Sequence, residues 1–118
     1  MNFRIKLPIF NVDCEFYIGV ENIPTYYKAL VKEGYKGTQP ENVDSKGLAW
    51  GSYVYLKDMT DDSNIAHELV HLVTNILEDR GVECDETRAY ITGYITGKFY
   101  KKAKELKEKE KNDAYVQL

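Results

Sequence analysis

Histidine, cysteine and tryptophan are scarce in this 118-residue chain, at two, two and one copies. Two cysteines, Cys14 and Cys84, are too few for a disulfide scaffold, so both read as small buried or idle thiols. No stretch approaches the ~18 to 20 consecutive apolar residues of a membrane span. The first ten residues, MNFRIKLPIF, alternate apolar with basic side chains, whereas a secretory leader needs an unbroken apolar core. A cytoplasmic protein with no membrane partner is expected. An excess of positive charge is also missing. The net charge is −3, and most basic residues are interleaved with acids, which argues against a nucleic-acid partner. Internal repeats and low-complexity linkers are absent.

Apolar residues make up 43% of the chain and aromatics 13%, enough for one core, and a chain of this length needs no second domain. Phe3, Ile5, Leu7 and Ile9 form one alternating run and Cys14, Phe16 and Ile18 a second, broken at Asn11-Val12-Asp13. This predicts a β-hairpin, and Pro8 places its first strand at an edge. Asn22 before Ile23-Pro24, with Tyr27, Leu30 and Val31 at helical spacing, predicts a short helix ending by Gly34. Residues Tyr35 to Gly47 carry no period and read as a loop. The stretch LAWGSYVYLK, Leu48 to Lys57, is rich in aromatic and β-branched residues and reads as a strand.

Thr60-Asp61-Asp62-Ser63 supplies a cap and an acidic first turn for a helix whose apolar stripe is Ile65, Leu69, Leu72, Val73 and Ile76. Gly81 marks its end. A second long helix begins near Asp85, carries Ile91, Ile95 and Phe99, and runs into the mixed-charge segment KKAKELKEKEK. Gly93 and Gly97 on this helix are expected to allow a close approach of its neighbour. The fold class is therefore α+β: one domain over residues 1–118, with a small antiparallel sheet packed on helices and two long helices in the C-terminal half.

Both histidines fall in one five-residue stretch, HELVH, residues 67 to 71. Residues four apart share a helix face, so His67 and His71 can offer two imidazole nitrogens to one ion. They project away from the apolar stripe. Glu68, beside the first of them, sits where a carboxylate can reach a water on the metal without itself binding it, the arrangement of metal-assisted hydrolysis.

An open zinc site keeps three protein ligands, and no histidine remains to be the third. Glu78 and Asp79 are too close on the same helix, which leaves Glu83, Asp85 and Glu86. Glu86 reaches best if Val82 to Asp85 return as an extended segment, because the ~13 Å climbed from His71 to Arg80 is then recovered. If that segment is helical, residues nearer Tyr94 lie opposite the histidines instead.

His67-Glu68-Leu69-Val70-His71 followed by Glu86-Thr87-Arg88-Ala89-Tyr90 resembles the gluzincin pattern, in which a downstream helix supplies a glutamate as third zinc ligand. More closely, HELVHLVTNILEDRG with DETRAYITGYITG is similar to small zinc metallopeptidases encoded in phages and prophage-bearing bacteria, over about residues 60 to 98. The resemblance implies a zincin-like domain with zinc on His67, His71 and Glu86, Glu68 as general base, and a peptide or protein as substrate. Tyr90, one turn beyond Glu86, is a candidate to orient a ligand or to donate to a developing oxyanion. An extended peptide would pair with a strand edge such as Trp50 to Leu56. The alternative is a non-catalytic, zinc-stabilised module that binds a protein through its tyrosine-rich surface.

Overall fold

The computed structural model describes residues 1–37 and 46–116, with side chains as far as residue 111. Strand β1 (Asn2–Leu7) pairs antiparallel with β2 (Val12–Ile18), Phe3 opposite Phe16 and Ile5 opposite Cys14. The turn between them is Pro8 to Asn11, closed by a hydrogen bond from the Asn11 N–H to the Pro8 carbonyl at 3.3 Å. Asn11 takes φ +52, which asparagine tolerates better than most residues. Val12 and Asp13 therefore already belong to the second strand. Ile9, expected on the buried face, lies in the turn and is 65% exposed.

After a 3-10 turn at Val20–Asn22, helix α1 (Ile23–Lys32) begins with Pro24 in its first turn, where a missing N–H costs nothing. Strands β3 (Gly47–Trp50) and β4 (Tyr53–Leu56) follow. The expected single strand over Leu48 to Lys57 is thus a hairpin. Gly51, at φ +58, makes the two-residue reversal with Ser52. Most of the expected loop from Tyr35 to Gly47 lies outside the described residues, and Gly47 itself opens β3.

The four strands are ordered β1-β2-β4-β3. The class is α+β as expected, with one difference: β2 and β4 run parallel, because the chain crosses over through α1 and β3 before returning beside β2. β1 is an edge strand, as Pro8 indicated. The other edge is β3; β4, which contains most of the Trp50 to Leu56 stretch, lies inside the sheet.

Helices α2 (Asp62–Asp79) and α3 (Asp85–Val116) pack on one face of the sheet. Their core includes Phe3, Phe16 and Phe99, with ring centroids 5.1 to 5.5 Å apart, joined by Leu69, Leu72, Ile91 and Ile95. Helix α1 covers the opposite face through Tyr26 and Leu30, against Tyr17 and Tyr55. The Tyr26 hydroxyl donates to the Leu48 carbonyl at 3.0 Å and so ties α1 to β3.

Helix α2 starts with the Asp61 carboxylate accepting from the Asn64 N–H at 3.1 Å, the expected N-cap. It ends in a Schellman arrangement: the Val82 N–H reaches the Leu77 carbonyl at 3.0 Å, the Gly81 N–H reaches Glu78 at 3.1 Å, and Gly81 takes φ +64. The chain then reverses at once into α3. Gly93 and Gly97 do not serve a close approach: a Cβ at either would meet nothing within 4 Å.

Candidate metal centre

Two side chains fix α2 against the edge strand. The Asn64 amide donates to the Lys46 carbonyl at 2.7 Å, and the Asn75 amide donates to the Gly51 carbonyl at 3.2 Å. Eleven positions separate them, about three helical turns, so they grip β3 at both ends from one helix face. Sequence reasoning passed over both. The available signal was that asparagine is a poor residue for a helix interior and so needs a reason to be there.

Between those clamps lie His67, Glu68 and His71. The two imidazole Nε2 atoms are 3.1 Å apart, with ring planes at 79°. Two ligands bonded at about 2.0 to 2.1 Å with a tetrahedral angle between them stand roughly 3.3 to 3.4 Å apart, so a small ring rotation suits both to one ion. The same separation also suits a hydrogen bond between neutral imidazoles, one nitrogen donating and the other accepting. Both rings are exposed, His67 with 64% of its side chain open to solvent.

Glu68 differs in every respect. It is 5% exposed and the only charged residue buried among those described. One carboxylate oxygen, Oε1, lies 3.7 Å from His67 Nε2; the other, Oε2, is buried without a hydrogen-bond partner. Burial raises the carboxyl pKa above the ordinary value, partly opposed by the nearby imidazoles. A buried oxygen with no partner is costly unless something occupies the space it faces. Donor atoms of His67, Glu68 and His71 all lie within 4.8 Å of one another, a group able to hold a metal ion.

Glu86 is not part of that group, nor are Glu83 and Asp85. The reason is the cap at Gly81. Val82 is tied back to Leu77 in closing it, and only Val82 to Cys84 are non-helical before α3 begins at Asp85, one residue fewer than the return that was expected. The Tyr100 hydroxyl donates to Asp62 at 2.9 Å, which sets the antiparallel register of the two helices. Counting back from that contact, Ile91 and Ile95 are level with His71 and His67, and Glu86 is level with Ile76. At 1.5 Å per residue this puts Glu86 about 7.5 Å along the axis from His71. It lines a shallow surface cleft with Ile9, Thr87 and Tyr90. Tyr90 is 72% exposed on that same flank, beside the β1 turn, and is not brought to the histidines.

No family model, curated protein or solved structure matches this chain. Among the described residues no helix is long and apolar enough to cross a membrane.

Proposed function

We propose that the chain is a zinc-dependent peptidase of the HExxH type, similar to the small enzymes encoded in phages and prophages, acting in the cytoplasm on a peptide or an unfolded protein segment. The observation that carries this reading is the buried Glu68 carboxylate, with one oxygen unpartnered, beside two imidazoles whose Nε2 atoms converge. The two imidazole nitrogens fit zinc, and the Glu68 carboxylate beside them can take a proton from a water there. A purely structural zinc is normally closed by four protein ligands, and exposed histidines with a solvent-facing side suit an open site better.

His67 and His71 would hold the zinc ion, which when bound would supply Lewis acidity toward water and toward a scissile carbonyl. With Nε2 of each ring given to the metal, each imidazole would carry its proton on Nδ1. Glu68 takes the proton of the attacking water and passes it to the departing amine. Burial suits it to that role, since it raises the carboxylate's affinity for a proton. The edge strand beside the site is the natural place for an extended substrate. Leu48 and Trp50 pair inward with β4, so Ala49 between them turns its N–H and C=O away from the sheet.

The deciding experiment loads wild type and Glu68→Gln with zinc and incubates each with a mixture of unstructured peptides read by mass spectrometry. Zinc-dependent cleavage by wild type, reduced by roughly 10² to 10⁴ in the variant, is the expected result. Equal cleavage by both overturns the role of Glu68. A second reading, a non-catalytic zinc-stabilised binding module, is favoured by one observation: α3 contributes no acidic ligand to the group. Zinc binding without cleavage of any peptide assigns the protein to that reading.

A further inference from the structure

The opposite edge of the sheet carries a second feature, independent of the metal centre. Strand β1 pairs with β2 on one side only. The Met1 N–H and C=O both bond to Ile18, so in an antiparallel ladder the backbone groups of Phe3, Ile5 and Leu7 also face inward. Those of Asn2, Arg4 and Lys6 face outward. Helix α3 runs antiparallel alongside, and the cleft between them is lined by Arg4, Lys6, Lys98, Lys101 and Lys102. Opposing charge comes from Glu105 in the cleft, from Glu15, which holds the Arg4 guanidinium at 2.7 Å, and from Asp13, which stands opposite Lys6 in the ladder and also acts on Arg4. None of the four lysines makes an ion pair with a described residue. The cations on the α3 side of this edge are Lys98, Lys101 and Lys102, because Phe3, Ile5 and Leu7 face the helix and the side chains of Arg4 and Lys6 project from the other face of the sheet.

Towards the hairpin turn the same furrow becomes apolar, lined by Leu7, Pro8, Ile9 and Tyr90, and Tyr94 borders both parts. Ile9 and Tyr90 are 65% and 72% exposed, an unusual pair of large side chains to leave together in water.

We propose that this furrow binds an extended acidic segment of a partner protein, added as a strand to β1, with an apolar side chain of that segment seated among Ile9, Tyr90 and Tyr94. The outward N–H and C=O groups of Arg4 and Lys6 recognise a peptide backbone, which a nucleic acid does not offer. Side chains on one face of a strand recur every ~6.6 to 6.8 Å, and successive turns of α3 present cations every ~5.4 Å, so alternate acidic residues meet Lys98 and then Lys101 and Lys102. Basic residues on an edge strand repel a second copy of the same strand, so β1 selects an acidic partner over itself.

The test measures fluorescence anisotropy of a labelled Phe-Val-Glu-Val-Glu-Val-Glu peptide and of its reversed sequence, since a strand can add in either direction. Wild type binds at least one of them saturably, more tightly than the Lys-for-Glu analogue and more tightly than a single-stranded oligothymidylate. Lys101→Glu/Lys102→Glu, on the solvent side of α3, weakens binding by roughly tenfold or more. Lys6→Pro removes one outward N–H at an edge position that proline tolerates, and it binds more weakly than Lys6→Gln. His67→Ala/His71→Ala binds as wild type does. No saturable binding by wild type, preference for the oligonucleotide, or full binding by the charge-reversed variant overturns the proposal. Equal binding by Lys6→Pro and Lys6→Gln, each with wild-type circular dichroism, overturns the strand addition.

Discussion

A Cβ placed on Gly47 would stand 2.9 Å from Glu68 Cγ and 3.0 Å from the Tyr55 carbonyl oxygen. The edge strand and the motif helix therefore meet at a point where only glycine fits, and the contact that seats β3 also seats the buried carboxylate. Gly47→Ala forces either the β3 backbone or the Glu68 side chain aside, an overpacking that typically costs about 1 to 3 kcal/mol. Urea denaturation should show a lower midpoint at an unchanged slope. An unaltered midpoint would mean that β3 lies further from α2.

Convergence of the His67 and His71 nitrogens predicts one bound zinc per chain, visible by native mass spectrometry, with binding lost or greatly weakened in His67→Ala and in His71→Ala. Because Glu86 lies on another flank of α3, Glu86→Gln should hold zinc as tightly as wild type. A marked loss of affinity in Glu86→Gln alone would show that α3 moves on metal binding to deliver the carboxylate.

Gly93 and Gly97 sit in the interior of α3 with open space where a side chain would be. Replacing each with alanine should stabilise the protein by roughly 0.5 to 1 kcal/mol, through helix propensity and a less flexible unfolded chain. Thermal unfolding of the double variant reads this directly. A decrease in melting temperature would point to a partner or packing surface on that face.

The two thiols should differ sharply. Cys14 is fully buried opposite Ile5, and burial pushes its pKa up to about 12, whereas hydrogen bonds from Thr87 hold that of the exposed Cys84 below the usual range. A disulfide reagent should modify Cys84 quickly in the native protein and Cys14 only on unfolding. The sign for stability follows: the folded state keeps the Cys14 proton, so this contribution is intact below the ordinary thiol value of 9.0 and is lost as pH rises from there towards about 12. Cys14→Ala should flatten that part of the alkaline limb.

Much of this fold could be read without coordinates because its signals are local. The alternation of Phe3, Ile5 and Leu7, the cap at Asp61, the stop at Gly81 and the stripe from Ile65 to Ile76 each act within a few residues, and all stand in the structure. Most of what escaped depended on partners distant in sequence. Gly51-Ser52 between two short strand-like runs is a local hairpin signal that the single-strand reading passed over, whereas nothing near Leu48 to Lys57 shows that β4 lies parallel to β2. At the site, the spacing of His67, Glu68 and His71 is a property of one helix and was legible for that reason. The placement of Glu86 and Tyr90 depends on how the residues after Gly81 leave the helix. A hydrogen bond from Val82 to Leu77 ties the start of that segment to the end of α2, and α3 begins at Asp85, a tertiary detail that counting residues does not supply.

The parallel β2·β4 ladder has a kinetic meaning. Of the three strand pairings it alone is not closed by a tight turn; Glu15 must find Tyr53 across α1 and all that follows it. The two hairpins can form quickly by themselves, but joining them carries the loop-closure entropy of the whole intervening chain before any hydrophobic return. Refolding speed is therefore governed by that one seam. A substitution along it should slow folding, while one in the α2 and α3 pair that leaves the seam intact should mainly hasten unfolding.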